Sequence, residues 1–199
     1  MRVFMAIDFD EAIKKAVARK RAELQSFGNA LRLVRDDQMH LTVKFLGEVE
    51  AGRCGELCEA VAKIASASGP FEVQVGGVGC FPPRGGVRVL WAGLDDVEGG
   101  LEACYECSES TFAELGFAKE RRAFSPHLTI ARVKSPAISA ELRRWVAETT
   151  LQAGRQFVNH LTLYQSDLSS SGAQYAVLTR AMFHSDRALS TRHGGQDHE

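Results

Sequence analysis

The chain has 199 residues, of which 45% are hydrophobic and 25% charged, and its net charge is −1. This length and balance suit one sizeable core or two small lobes and exclude disordered and fibrous classes. With no global positive field to draw in nucleic acid, any polyanion must be gripped locally.

Val3-Phe4-Met5-Ala6-Ile7-Asp8 opens the chain as a strand. It is too short for a signal-peptide core, ends in an acid and lacks a small-residue cleavage site, so the protein is expected in the cytoplasm. A helical stretch from Asp10 to Phe27 follows, with Gly28 as its C-cap. His40-Leu41-Thr42-Val43-Lys44-Phe45-Leu46, bounded by Gly47, is rich in β-branched and large apolar residues and is predicted to be a strand. A helix is predicted at about Gly52 to Ser66, then a strand opening at Phe71. Phe81-Pro82-Pro83-Arg84-Gly85-Gly86 breaks regular structure and marks a joint.

Beyond the joint the series returns. Arg88-Val89-Leu90-Trp91-Ala92 repeats Arg2-Val3-Phe4-Met5-Ala6 at an offset of 86, and His127-Leu128-Thr129 repeats His40-Leu41-Thr42 at 87. Helical stretches from Val97 to Leu115, closed by Gly116, and from Ser139 to Thr149 match those of the first half, and Phe157 opens a strand 86 residues after Phe71. A last strand runs from about Gln174 to Phe183.

Five features in one order at nearly one offset imply a duplicated unit. The expected fold is α+β, two lobes related by a pseudo-twofold axis, with mainly antiparallel sheets lining a central cleft and helices outside. A single domain is expected over 1–187, with repeat units of about 1–84 and 85–187, and a mobile polar tail over 188–199. The longest apolar runs, Val87 to Leu94 and Val177 to Phe183, are interrupted by Arg or Gly. They fall far short of the roughly 20 residues a membrane span needs.

Strand alternation puts His40 and Thr42 on one face while Leu41 and Val43 enter the core, and the same holds for His127 and Thr129 against Leu128 and Ile130. If the pseudo-twofold brings these faces together, two imidazoles and two hydroxyls converge on one ligand. In-line displacement at phosphorus needs a base for the nucleophile and an acid for the leaving oxygen, and histidine titrates near neutral pH. The hydroxyls can donate to non-bridging oxygens. A lone strand histidine is more often a satisfied structural side chain; recurrence at the repeat offset tips the balance, because a polar pair retained twice opposes packing unless it lines a wet surface.

A third tripeptide, His160-Leu161-Thr162, falls outside this register: aligning Phe157 with Phe71 puts His160 opposite Gln74, as an ordinary strand histidine. Histidines 184, 193 and 198 sit in or near the tail. The five cysteines, Cys54, Cys58, Cys80, Cys104 and Cys107, leave one over and lie mostly on helices. They are expected to be reduced thiols packing as small hydrophobes, neither disulfides nor a zinc site. Gly76-Gly77-Val78-Gly79 lacks the ending of a phosphate-binding loop. Basic clusters suited to a local grip on a polyanion stand at Arg19-Lys20-Arg21, Lys119 with Arg121-Arg122, Arg132-Val133-Lys134 and Arg143-Arg144, the first and last of which also suit solvated helix faces.

Taken with the segments Met1 to Asp8, His40 to Val49, Phe81-Pro82, Arg88 to Trp91 and Ser125 to Arg132, the paired motifs resemble the two-histidine phosphoesterases, and within them the RNA 2′,3′-cyclic phosphodiesterase branch, also called 2′-5′ RNA ligase. The resemblance spans about residues 1 to 183. It implies metal-independent opening of RNA 2′,3′-cyclic phosphate ends to 2′-phosphates, with no cofactor. His40 would be the proton donor to the departing 3′ oxygen and His127 the proton acceptor from water. Thr42, Thr129 and Arg132 would hold the phosphate. The implied partner is an RNA with a cyclic-phosphate end, including tRNA fragments or small cyclic nucleotides; a monomer and no membrane are expected. The alternatives are RNA ligation by the same residues and non-catalytic binding of such ends. Arg132 lies five positions after His127, so ideal alternation aims it at the wrong face unless a bulge re-aims it. Lys44, four after His40, is in phase as a reserve. Phe81 and Arg84, near the joint, have the chemistry to meet a base and a phosphate but stay outside the expected site, a hydrophobic anchor beside a turn explaining Phe81 almost as well.

Overall fold

The structure, a computed structural model, describes residues 1–169 and 172–184. The expected tail over 188–199, with His193 and His198, lies outside the described residues. Arg2–Asp8 and the two motif segments form strands as expected, and the elements run β1 (Arg2–Asp8), α1 (Glu11–Ala22), β2 (Leu31–Leu33), β3 (His40–Glu48), α2 (Cys54–Ala67), β4 (Phe71–Phe81), β5 (Val89–Asp95), α3 (Gly100–Glu114), β6 (His127–Val133), α4 (Ser139–Glu148), β7 (Gln152–Val158), β8 (His160–Ser169) and β9 (Gly172–Met182).

Two antiparallel sheets form, in the orders β3-β1-β8-β9 and β2-β6-β5-β4-β7. β1 stands between β3 and β8 as β5 stands between β6 and β4. The shared pattern is the pseudo-twofold relation expected of a duplication. The sheets exchange strands: β4, from the first half of the chain, completes the second sheet, while β8 and β9 complete the first. Helix α2 packs on β8 and β9, α1 on β7, and α4 on β4, so the helices cover the outer faces.

Contrary to the repeat registration, Phe157 does not open the counterpart of β4; it lies near the end of β7, which starts at Gln152. By sheet position the counterpart of β4 is β8. The chain switches sheets at Asn159, between β7 and β8, and the two phenylalanines are unlike in environment, Phe71 being 4% exposed and Phe157 52%.

The core forms where the alternation places it. Leu41, Val43, Leu128 and Ile130 are all buried, and Cys104 belongs to the same core as a small hydrophobe, its thiol pushed up to about 12 by burial. The five cysteines are free thiols. Helix α3 ends as its glycine dictates. Gly116 adopts φ +85, its N–H reaches the Ala113 carbonyl at 3.0 Å, and the Phe117 N–H reaches the Phe112 carbonyl at 3.0 Å. The accompanying Phe112–Phe117 ring contact closes a Schellman cap. The first predicted helix is α-helical only to Ala22 and continues in 3-10 turns from Glu23 that break at Gly28, where the backbone turns to φ +53. There the Ser26 hydroxyl donates to the Glu23 carbonyl and competes with the helical ladder. Among the described residues no helix is long and apolar enough to cross a membrane.

Candidate active site

Strands β3 and β6 adjoin where the two sheets meet. Their motif faces line one cleft of about 420 Å³, into which the fold brings His40 and Thr42 from one strand and His127, Thr129 and Arg132 from the other. All five residues singled out in the sequence therefore share one cavity.

Both imidazoles are anchored alike. A ring nitrogen of His40 hydrogen-bonds the Gln38 carbonyl, and His127 Nδ1 lies 2.8 Å from the Ser125 carbonyl. Each partner is two residues upstream. Because a carbonyl only accepts, Nδ1 of His127 carries the hydrogen, which leaves Nε2 to exchange a proton in the cleft. Each ring also rests on a phenylalanine, Phe4 for His40 at 4.8 Å and Phe81 for His127 at 5.0 Å between centroids. Phe81 leans in turn on Trp91. Trp91 covers Gly79 so closely that a Cβ there would collide with the indole. Phe81 thus supports the imidazole instead of lining the cleft, and Arg84 is exposed in the joint.

The position of Arg132 is explained by the ladder. Between β5 and β6, Leu90 pairs with Ala131 and Trp91 with Thr129, so Ile130 is skipped. This bulge shifts the alternation by one, Ile130 and Ala131 are both buried, and Arg132 emerges on the side of His127. The same bulge occurs in β3. Met5 pairs with Lys44 and Ala6 with Thr42, skipping Val43. Here it turns Lys44 away from the cleft, contrary to the in-phase count. Lys44 is buried, pairs with Glu109 at 2.7 Å and donates to the Ala118 carbonyl at 2.7 Å. Phe45 takes the place that Arg132 holds in the other lobe and lines the cleft.

Electrostatics differ from what net charge suggests, for Arg2, Arg32 and Arg132 all line the cleft. Arg2 lies 4.8 Å over the Phe45 ring. Burial pushes the His40 imidazole down to about 4. The Gln38 carbonyl and the Asp8 charge oppose that shift, while Arg132 and His127 add to it.

Arg2, Phe4, Arg32 and Tyr175 are cleft residues that the sequence motifs do not single out. A signal for the first two existed, since Arg2, Phe4 and Asp8 share parity on the strand beside β3. Tyr175 carried none, because its place depends on β9 completing a sheet whose first strand lies at the opposite end of the chain. His160 lies outside this cleft. It borders a second cavity and hydrogen-bonds Asn159 and Asp8.

The chain is similar to known proteins over most of its length. Residues 7–91 match the model of the family described as LigT like Phosphoesterase. The protein from Methanothermobacter thermautotrophicus named RNA 2′,3′-cyclic phosphodiesterase is 30% identical over 88% of this chain and 95% of its own length. A crystal structure of a Thermus thermophilus protein superposes with TM-score 0.80 at 27% identity, covering 92% of this chain and 98% of that one. The structure of E. coli LigT complexed with 3′-AMP gives TM-score 0.74 at 27% identity, covering 92% and 97%.

Proposed function

The chain belongs to the LigT-like phosphoesterase family, and from that premise we propose that it hydrolyses RNA 2′,3′-cyclic phosphate ends to 2′-phosphates by metal-independent acid–base catalysis. The observation that carries this is the convergence of two motif imidazoles on one arginine-lined cleft. A single terminal nucleotide is a fitting occupant for a cavity of about 420 Å³.

Water attacks phosphorus as Nε2 of His127 takes its proton, the bond from phosphorus to the 3′ oxygen breaks, and His40 supplies the proton that leaves a 3′ hydroxyl. The hydroxyls of Thr42 and Thr129 donate to non-bridging oxygens, and Arg132 offsets their developing charge. With its own pKa held down by burial, His40 must acquire its proton together with the substrate. A phosphodiester anion beside it opposes the effect of burial. On these terms residues 1–187 act as one domain, as a monomer in the cytoplasm, on RNA ends such as tRNA fragments or on small cyclic nucleotides.

The test is incubation of the pure protein with an oligonucleotide ending in a 2′,3′-cyclic phosphate, with and without EDTA. A 2′-phosphate formed equally in both is expected. A 3′-phosphate, chelator-sensitive turnover or only joined RNA would overturn the assignment.

A further inference from the structure

We propose that Asp8, at the end of β1, is a positioning residue for His40, holding a fixed negative charge beside the imidazole from a second cavity. This rests on the acid–base role given to His40 above. A cavity of about 290 Å³ adjoins the cleft, with His40 and Tyr175 lining both and Asp8 lining the second. Asp8 and His40 are direct partners in the β1–β3 ladder, which puts their side chains on one face within about 5.5 Å at Cβ.

The carboxylate is held from several directions. Its oxygens accept from the Tyr164 hydroxyl at 2.6 Å and the Thr162 hydroxyl at 2.7 Å, with Arg180 at 3.3 Å and His160 Nε2 at 3.4 Å. Burial alone would raise its pKa, but the hydrogen bonds from His160, Tyr164 and Thr162 outweigh that and hold the carboxyl well below the usual range. Asp8 therefore stays ionised throughout the range in which His40 titrates.

The other charges around His40 do not substitute for it. From β6, Arg132 and His127 oppose protonation. Asp37, before β3, is occupied by Arg35 at 2.5 Å, Asp10, which also lines the second cavity, is exposed to screening water, and Lys14 on α1 is occupied by Glu11 at 3.3 Å. Arg180, on β9, is 52% exposed against 20% for Asp8, so water screens the cation more than the acid. Arg2 and Arg32 reach the cleft from β1 and β2 with the same sign as Arg132. Tyr164 donates its proton to Asp8, and Tyr175, edge-on to His40, is kept neutral by burial. Asp8 is the acid that balances the arginines at His40.

The test is the His40 imidazole titration by NMR, with kcat and KM for a cyclic-phosphate oligonucleotide, in wild type, Asp8→Asn, Asp8→Glu and Thr162→Val. In Asp8→Asn the His40 midpoint should fall by roughly one pH unit, the size expected of a unit charge some 6 Å away in a half-wet site. The same variant should lose about tenfold in kcat with KM little changed. Asp8→Glu, which keeps the charge but moves it, should give an intermediate midpoint and carries the test should the first variant not fold. Thr162→Val removes a hydrogen bond but no charge, so it should lower stability and leave the midpoint in place. An unmoved midpoint in the Asp8 variants, or an equal shift in Thr162→Val, would overturn the assignment. The titration needs no turnover, so it separates failure of this role from failure of the proposed reaction.

Discussion

Arg32 and Arg132 are direct partners in the β2–β6 ladder, and both line the cleft. Two cations facing one cleft are placed to meet a single anion, so inorganic phosphate should stabilise the protein. At about 100 times its Kd the gain expected from linkage is ~2.7 kcal/mol, read as a rise in Tm. Arg132→Ala should abolish most of that rise and lower kcat/KM by about 100-fold, as loss of a charged donor to a transition-state oxyanion does. Equal stabilisation of wild type and variant by phosphate would contradict the placement.

The pair formed by Lys44 and Glu109 is under a tenth exposed on both sides. The second Glu109 oxygen also accepts the Glu120 N–H at 2.8 Å. The two residues therefore tether the segment leading into His127 to the strand that carries His40. Lys44→Met leaves Glu109 as an uncompensated buried charge and should reduce unfolding free energy by roughly 3–5 kcal/mol. Combining it with Glu109→Leu should recover much of the loss, a pattern that urea denaturation of the single and double variants can resolve.

His40 also gives stability a pH dependence. Its ordinary value of 6.5 is lowered to about 4 by burial, so between those values the unfolded chain takes up a proton that the folded protein refuses. The contribution is fully present above pH 6.5 and is lost as the pH falls towards 4, amounting to about 3 kcal/mol. His40→Asn should flatten this part of the curve. Thermal melts of both proteins at several pH values between these limits will show whether the slope disappears.

The duplication and the motif strands were legible because period-two alternation and tripeptide recurrence are local signals. The bulges at Val43 and Ile130 were not, since each depends on where pairing with the neighbouring strand passes over a residue of the motif strand. They decide that Arg132 enters the cleft while Lys44 leaves it. The Phe157 registration failed for a similar reason. A phenylalanine match at the repeat offset says nothing of the sheet switch at Asn159, which gives the chain an additional strand before β8. His160 stays out of the cleft, as its place outside the motif register implies, yet its bond to Asp8 pairs residues 152 positions apart and no local pattern reports it.

The central claim, that the two motif histidines act on one phosphate as a unit, is tested most directly by turnover of a cyclic-phosphate-ended oligonucleotide by His40→Ala, His127→Ala and the double variant. Each single replacement should reduce the rate by about 10² to 10⁴, and the double variant should be far less impaired than the product of the two losses. Full turnover by either single variant would contradict the account.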